Sequence, residues 1–188
     1  MSAESEVSNW KYSQFLINKK NNFNVNSKIE INELKLKNQE FLKHFFPKLN
    51  EITDLRDQLI EINYNKDNFS IKGLGKIKLE KEFEDIDFFI SKIKDKINFD
   101  TNIILENTSF IIDFLNFEKD EKSKIKLTGN GNRNNQNELN FNEIIIIEKN
   151  NKIILENLLL DKDNLIINID KLDLDYFDIE NKENKFVL

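Results

Sequence analysis

LEKEFEDIDFFISKIKDKIN, residues 79–98, is the stretch on which the fold class turns. Its apolar residues Leu79, Phe83, Ile86, Ile90, Ile93 and Ile97 recur at alternating steps of four and three, the heptad spacing of a helical seam. Glu80, Glu82, Glu84 and Asp85 come early, and Lys92, Lys94 and Lys96 come late. Carboxylates at the start and ammonium groups at the end suit a helix dipole. The spacing predicts a helix from about Glu80 to Asn98, with Ile90 at the centre of a buried seam.

Upstream, a similar stripe runs through Ser27 to Asn63, from Ile31 and Leu34 to Leu59 and Ile62. Pro47 interrupts it, because proline lacks an amide donor and clashes with the preceding turn. Before that lies a polar start with a short helix capped by Ser8 and carrying Trp10 and Phe15, then an Asn-rich linker, Asn21 to Ser27. Asn68 to Leu79, around Gly73 and Gly75, reads as an extended segment or hairpin. Asp100 to Phe117 fits a helix or a strand.

Beyond Lys124 the period becomes two. Thr128 to Glu138, TGNGNRNNQNE, holds no apolar residue and is expected to be an exposed loop. Leu139 to Glu148, Lys152 to Leu160 and Leu165 to Ile179 read as strands, with turns at Asn150–Asn151 and Asp161–Asn164. Within the last strand the apolar parity shifts after Ile169, so a bulge or bend is expected at Asp170–Lys171. The fold class expected is α+β: N-terminal amphipathic helices, including the heptad helix, with a C-terminal antiparallel β-meander of about four strands. The expected organisation is a flexible arm with a short helix over 1–26, a mainly helical region over 27–117 and an antiparallel β region over 118–188.

The composition explains why charge runs carry little weight. Lys, Asn, Ile and Phe dominate, with 16 Phe against one Pro, one Met, one Trp, one His and no Cys. That skew points to a very A/T-rich genome, which fills exposed positions with Lys and Asn by default. The absence of Cys excludes disulfides, thiolate metal sites and cysteine nucleophiles. The net charge of −6 argues against a surface that grips duplex nucleic acid throughout. Trp10 to Lys48 is basic by roughly five charges, and Glu156 to Leu188 is acidic by about as much. The first residues, MSAESEVSNW, lack the basic and apolar regions of a signal peptide, and no apolar run is long enough to span a bilayer. A cytoplasmic or intraviral location is expected.

Few motifs carry chemistry. Asp85/Asp87, Asp161/Asp163 and Asp173/Asp175 are Asp-x-Asp pairs, and Asp170 precedes the last. In a strand, Asp173 and Asp175 share a face and could hold a divalent ion, but the solvated face of an amphipathic strand is the reading expected. Gly73-Leu74-Gly75-Lys76 has too short a spacing for a phosphate loop and reads as a turn. His44 is the only histidine and no Cys can join it, so a zinc site is not expected there.

The function expected is a non-catalytic structural or adaptor subunit that binds other protein subunits through its helical half, with no cofactor, metal or membrane. Trp10, Phe15, Phe41 and Phe45 are the candidate partner-binding residues, because large aromatics dominate interface energies. One alternative is single-stranded nucleic-acid binding, with bases stacked on exposed aromatics and an acidic C-terminal tail ending in Phe186-Val187-Leu188. A second alternative is a carboxylate and metal-dependent enzyme built on Asp170, Asp173 and Asp175.

Overall fold

The computed structural model describes residues 5–18, 24–37, 40–65, 68–120, 123–134, 136, 138–163 and 165–188; for 5–18, 40 and 41 it describes the backbone alone. No α-helix occurs among them. The expected α+β class and its N-terminal helices are therefore overturned: one antiparallel sheet runs through both halves of the chain.

The strands are β1 (Ser5–Asn18), β2 (Asn24–Lys37), β3 (Ile52–Asn65), β4 (Asn68–Lys78), β5 (Phe83–Ile93), β6 (Lys96–Leu105), β7 (Ile111–Ile112), β8 (Phe117–Glu118), β9 (Ile125–Arg133), β10 (Leu139–Glu148), β11 (Asn151–Leu160), β12 (Ile166–Asn168), β13 (Lys171–Phe177) and β14 (Glu183–Val187). Their order in the sheet is β1-β2-β3-β4-β5-β6-β9-β10-β11-β13-β14, and β12 extends the β13 edge of β11. β7 and β8 form a separate two-stranded piece. Neighbours in sequence are neighbours in space, which keeps every pairing local.

The heptad stretch is β5 and the start of β6. The same residues support both periods: Ile86, Phe88 and Ile90 alternate as cleanly as the heptad steps. The hairpin between the strands is closed by Lys94-Asp95, since Ile93 pairs with Lys96. Lys94 takes a φ of 54°, the left-handed region that favours glycine. A hairpin turn without Asn-Gly or Asp-Gly leaves no local signal. Lys94→Gly is expected to raise stability by about 1 kcal/mol, by relieving that backbone. In a helix the same change would lower stability by about as much, so the sign of the shift in melting temperature reads the conformation of residue 94.

Each strand alternates between two faces. On one face, opposite charges stand across neighbouring strands: Lys28–Glu61 at 2.6 Å, Lys76–Asp85 at 2.5 Å, Lys171–Glu156 at 2.5 Å and Lys185–Asp175 at 3.3 Å. These exposed pairs fix register more than they add stability. The other face is apolar. Its row Ile86, Ile103, Leu127, Ile146, Ile153 and Leu174 crosses six strands by direct pairing or alternation.

Long connections lie at one end of the sheet and cap half of the apolar face. Phe46 and Leu49 follow a 3-10 turn, Glu40–His44, and Phe110, Ile112 and Phe117 come from the segment between β6 and β9. They close over Leu79, Leu105, Ile125, Ile146, Ile153, Leu174 and Tyr176, the single buried cluster of the described residues. Aromatic rings pack in series, Phe46–Phe110 at 5.6 Å, Phe110–Phe117 at 6.5 Å and Phe117–Tyr176 at 5.8 Å.

The cap has little regular structure, so its amides need other acceptors. Glu84, 2% exposed, accepts from the N–H groups of Glu106 (2.9 Å), Asn107 (2.7 Å) and Thr108 (2.8 Å) and from the Thr108 hydroxyl (2.9 Å). Glu80 accepts from the Ser109 amide at 3.0 Å and from its hydroxyl. Glu148 accepts from the Asp120 amide at 2.8 Å and from the Ser123 hydroxyl. The buried Lys119 ammonium donates to the carbonyls of Glu106 (2.9 Å) and Asp120 (3.4 Å).

Tyr176 donates its hydroxyl to the Leu115 carbonyl at 2.6 Å, tying β13 to the cap. Burial, helped by the Asp178 charge, raises the phenol above its ordinary value. Below that ordinary value it is protonated folded and unfolded, and its contribution is complete. As pH climbs from the ordinary value through the raised one, the unfolded chain ionises first and the contribution is lost. Tyr176→Phe should lower stability at neutral pH by about 1 kcal/mol and flatten the alkaline fall in the melting temperature.

Two further expectations change. Thr128 to Glu138 is not a loop over most of its length: Thr128 to Arg133 belong to β9, paired with β6 on one side and β10 on the other. Gly73 to Lys76 lies inside β4 and is not a turn. The strands expected at 139–148 and 152–160 coincide with β10 and β11, and the chain bends at Asp170 between β12 and β13.

Candidate functional site

Beyond the cap, the apolar face continues toward the hairpin end of the sheet with no second layer among the described elements. Cross-strand pairing builds it in rows. Ile60, Phe88, Ile144, Leu155 and Leu172 form the row nearest the cap, interrupted by Gly73, Thr101 and Gly129. The next row holds Ile62, Ile71, Ile90, Phe99, Phe141 and Leu158. Tyr64, Phe69, Ile97, Leu139 and Leu160 stand at the hairpin end, beside Lys92 and Arg133. Of these large apolar side chains only Leu158 is buried; Ile90 is 36% exposed, Ile97 39% and Tyr64 41%.

Glycine shapes the centre of the patch. Phe99 on β6 and Phe141 on β10 meet edge to face at 5.5 Å across the intervening β9. Gly131 makes that contact possible: a Cβ there would overlap the Asn140 carbonyl oxygen and lie 2.9 Å from the Phe99 ring. A strand poor in side chains thus lies under two aromatic rings.

The open face shows in the total area. The chain exposes 12725 Å², whereas a compact monomer of its 22.4 kDa exposes about 9,400 Å². Contiguous apolar patches beyond a few hundred Å² mark interaction surfaces.

The charged face offers a shallow depression of about 600 Å³ lined by Asp57, Lys76, Asp85, Asp87, Asn102 and Lys126. Four of its polar groups are paired. Lys76 pairs with Asp85, which raises the lysine above its ordinary value, and Asn102 donates to Asp87 at 3.1 Å. Phe89 is 43% exposed on this face, between Lys72 and Asp100. Among the described residues, lysines and carboxylates of neighbouring strands mix on this face.

The four residues expected to bind a partner are divided between two places. The backbones of Trp10 and Phe15 lie in β1 opposite Ile31 and Ser27, and Phe41 lies in the 3-10 turn; their side chains lie outside the described residues. Phe45 stacks on Phe110 at 6.4 Å and belongs to the cap. The helical surface meant to carry them is absent, because that half of the chain is strand.

The carboxylates do not converge. Asp175 pairs with Lys185, and Asp170 accepts from Asn157 (2.9 Å) and Asn168 (2.7 Å) at the bend. Among the described residues no three His, Cys, Asp or Glu side chains are grouped to hold a metal. His44 is exposed in the 3-10 turn. No helix among the described residues is long and apolar enough to cross a membrane. Set against protein-family models, curated proteins and solved structures, the chain matches none of them.

Proposed function

We propose that the protein is a non-catalytic structural subunit that assembles by laying the uncovered half of its apolar face against another protein. The observation that carries this reading is the excess of exposed surface, roughly 3,300 Å² above a compact chain, together with the apolar rows that supply part of it. An obligate interface buries about 2,000–5,000 Å² in total and is more apolar than a transient one. A sheet laddered with charge pairs on one face and apolar on the other is built to be covered on one side.

The test places a charge on each face. Ile90 stands between Ile71 and Phe99 and is partly exposed, so Ile90→Asp should fold, with a stability loss of about 1–2 kcal/mol. Leu74, 48% exposed on the charged face, gives the control Leu74→Asp. In purification from the native source, the wild-type chain and Leu74→Asp should retain a stoichiometric protein, and Ile90→Asp should lose it. Equal retention by all three places the interface elsewhere.

A further inference from the structure

We infer that the protein covering this face is a second copy of the chain, packed about a two-fold axis that lies between the two sheets and runs across their strands. The inference rests on the docking role proposed above and names its occupant.

Shape is the first argument. The cap fills a second layer over one half of the apolar face and leaves the other half bare, so each molecule is a step. Packed sheets lie about 10 Å apart, the depth of one layer of side chains from each. A two-fold axis across the strands sets bare half on bare half and carries each cap past the hairpin end of the other copy. The step is therefore self-complementary, as a two-fold interface must be.

Area is the second argument. A stable interface buries about 800 Å² per partner, and obligate dimers bury more. The excess exposed by a single chain is larger than that amount, and the bare apolar rows supply part of it.

Charge is the third. The staggered arrangement brings the cap of one copy to the hairpin end of the other. The turn joining β5 to β6 and its flanks carry Lys92, Lys94 and Lys96 with only Asp95 against them, and Arg133 stands beside them on β9. The β6–β9 part of the cap exposes Asp113 and Glu118, while its β2–β3 part exposes Lys43 and Lys48. Opposite signs thus meet between the β6–β9 part and the hairpin end at both ends of the interface, while two caps, both acidic at Asp113 and Glu118, are kept apart. Complementary rims of this kind set register more than affinity.

The experiment is sedimentation equilibrium of the full chain across a wide concentration range. The wild-type protein should weigh twice the chain mass. Ile90→Asp should weaken association by about 100-fold or more, because it buries a charge in the centre of an apolar contact; Leu74→Asp should leave it unchanged. Circular dichroism shows whether each variant keeps its strands. Arg133→Glu should weaken the dimer, and adding Glu118→Lys to the same chain should restore it, since each interface then regains the pair with signs exchanged. A chain that stays monomeric at every concentration overturns the second copy. If that monomer still loses a different stoichiometric protein on Ile90→Asp, the docking face stands and only its occupant is wrong. A dimer unaffected by Ile90→Asp overturns both.

Discussion

Replacing Glu84 with alanine is expected to destabilise the protein by about 3–5 kcal/mol, the range for breaking a buried charged hydrogen-bond set. The carboxylate is 2% exposed and accepts four hydrogen bonds, three of them from consecutive amides at Glu106, Asn107 and Thr108. These amides have no ladder partner, so removing the acceptor leaves them unmet, the Thr108 amide in a buried position. Glu84→Gln should fall between the two, because its amide nitrogen turns one acceptor into a donor facing donors. Denaturant unfolding measures both. A loss below about 1 kcal/mol for Glu84→Ala would mean that water or other acceptors replace the carboxylate and that the cap is not pinned there. The loss should appear in the cap first, as faster amide exchange over residues 106–118 than in β10 and β11.

The second large effect is a matched pair on β9. Gly131→Ala would set a methyl group into the Asn140 carbonyl oxygen and 2.9 Å from the Phe141 Cα, both backbone. Neither can move without opening the β9–β10 ladder, and the loss should be about 3 kcal/mol, the upper part of the range for overpacking. Gly129, two residues away on the same face, has nothing within 4 Å of an added Cβ. Gly129→Ala should be neutral or slightly stabilising, because it restricts the unfolded chain without strain. A loop at 128–138 would tolerate both substitutions alike, so the difference between the two melting temperatures tests the central position of β9.

Residues 139–160 were legible as strands because their apolar runs, Ile144–Ile147 and Ile153–Leu155, are too short for helices, rich in β-branched residues and separated by turn residues. Ile144 and Ile146 point to the apolar face, Glu143 and Ile145 to the charged one, and Lys149-Asn150 forms a two-residue turn. The bend at Asp170 was legible as a change of parity. The N-terminal half was not legible, and bulges explain much of it. Asn32 and Asp57 stand opposite one another in an irregular row, and Asp57 has a φ of 50°. That row turns a strand step of two into a step of three: Ile29 and Ile31 share the apolar face, and so do Leu34 and Leu36 beyond it. Read along the sequence, Ile31 to Leu34 then looks like helical spacing, whereas Leu59 and Ile62, also three apart, lie on opposite faces of β3.

Electrostatics misled in a similar way. Glu80 and Glu84 suited the start of a helix because carboxylates stabilise free amides, and they do so here, but the amides belong to the cap and not to a helix. The bare apolar face itself was only partly visible. Ile86, Phe88 and Ile90 alternate in sequence, but that they align with Phe99 and Phe141 depends on the registers of β5, β6, β9 and β10, which no local pattern encodes. Trp10 and Phe15 drew attention by residue type, whereas the surface described here is made of ordinary Ile, Leu and Phe.

The central claim is that the hairpin-end half of the apolar face is bare in the single chain. The chain has no cysteine, so a single introduced thiol reports its own surroundings. The measurement is the alkylation rate of Ile90→Cys at a dilution where sedimentation shows single chains, compared with Leu74→Cys on the charged face and Ile125→Cys beneath the cap, where the native residue is 0% exposed. The account predicts that position 90 reacts within about tenfold of position 74, while position 125 reacts only through unfolding. A thiol at position 90 as slow as the one at 125 in the dilute chain would contradict it, since Ile90 would then lie inside a core, as the heptad spacing alone implies.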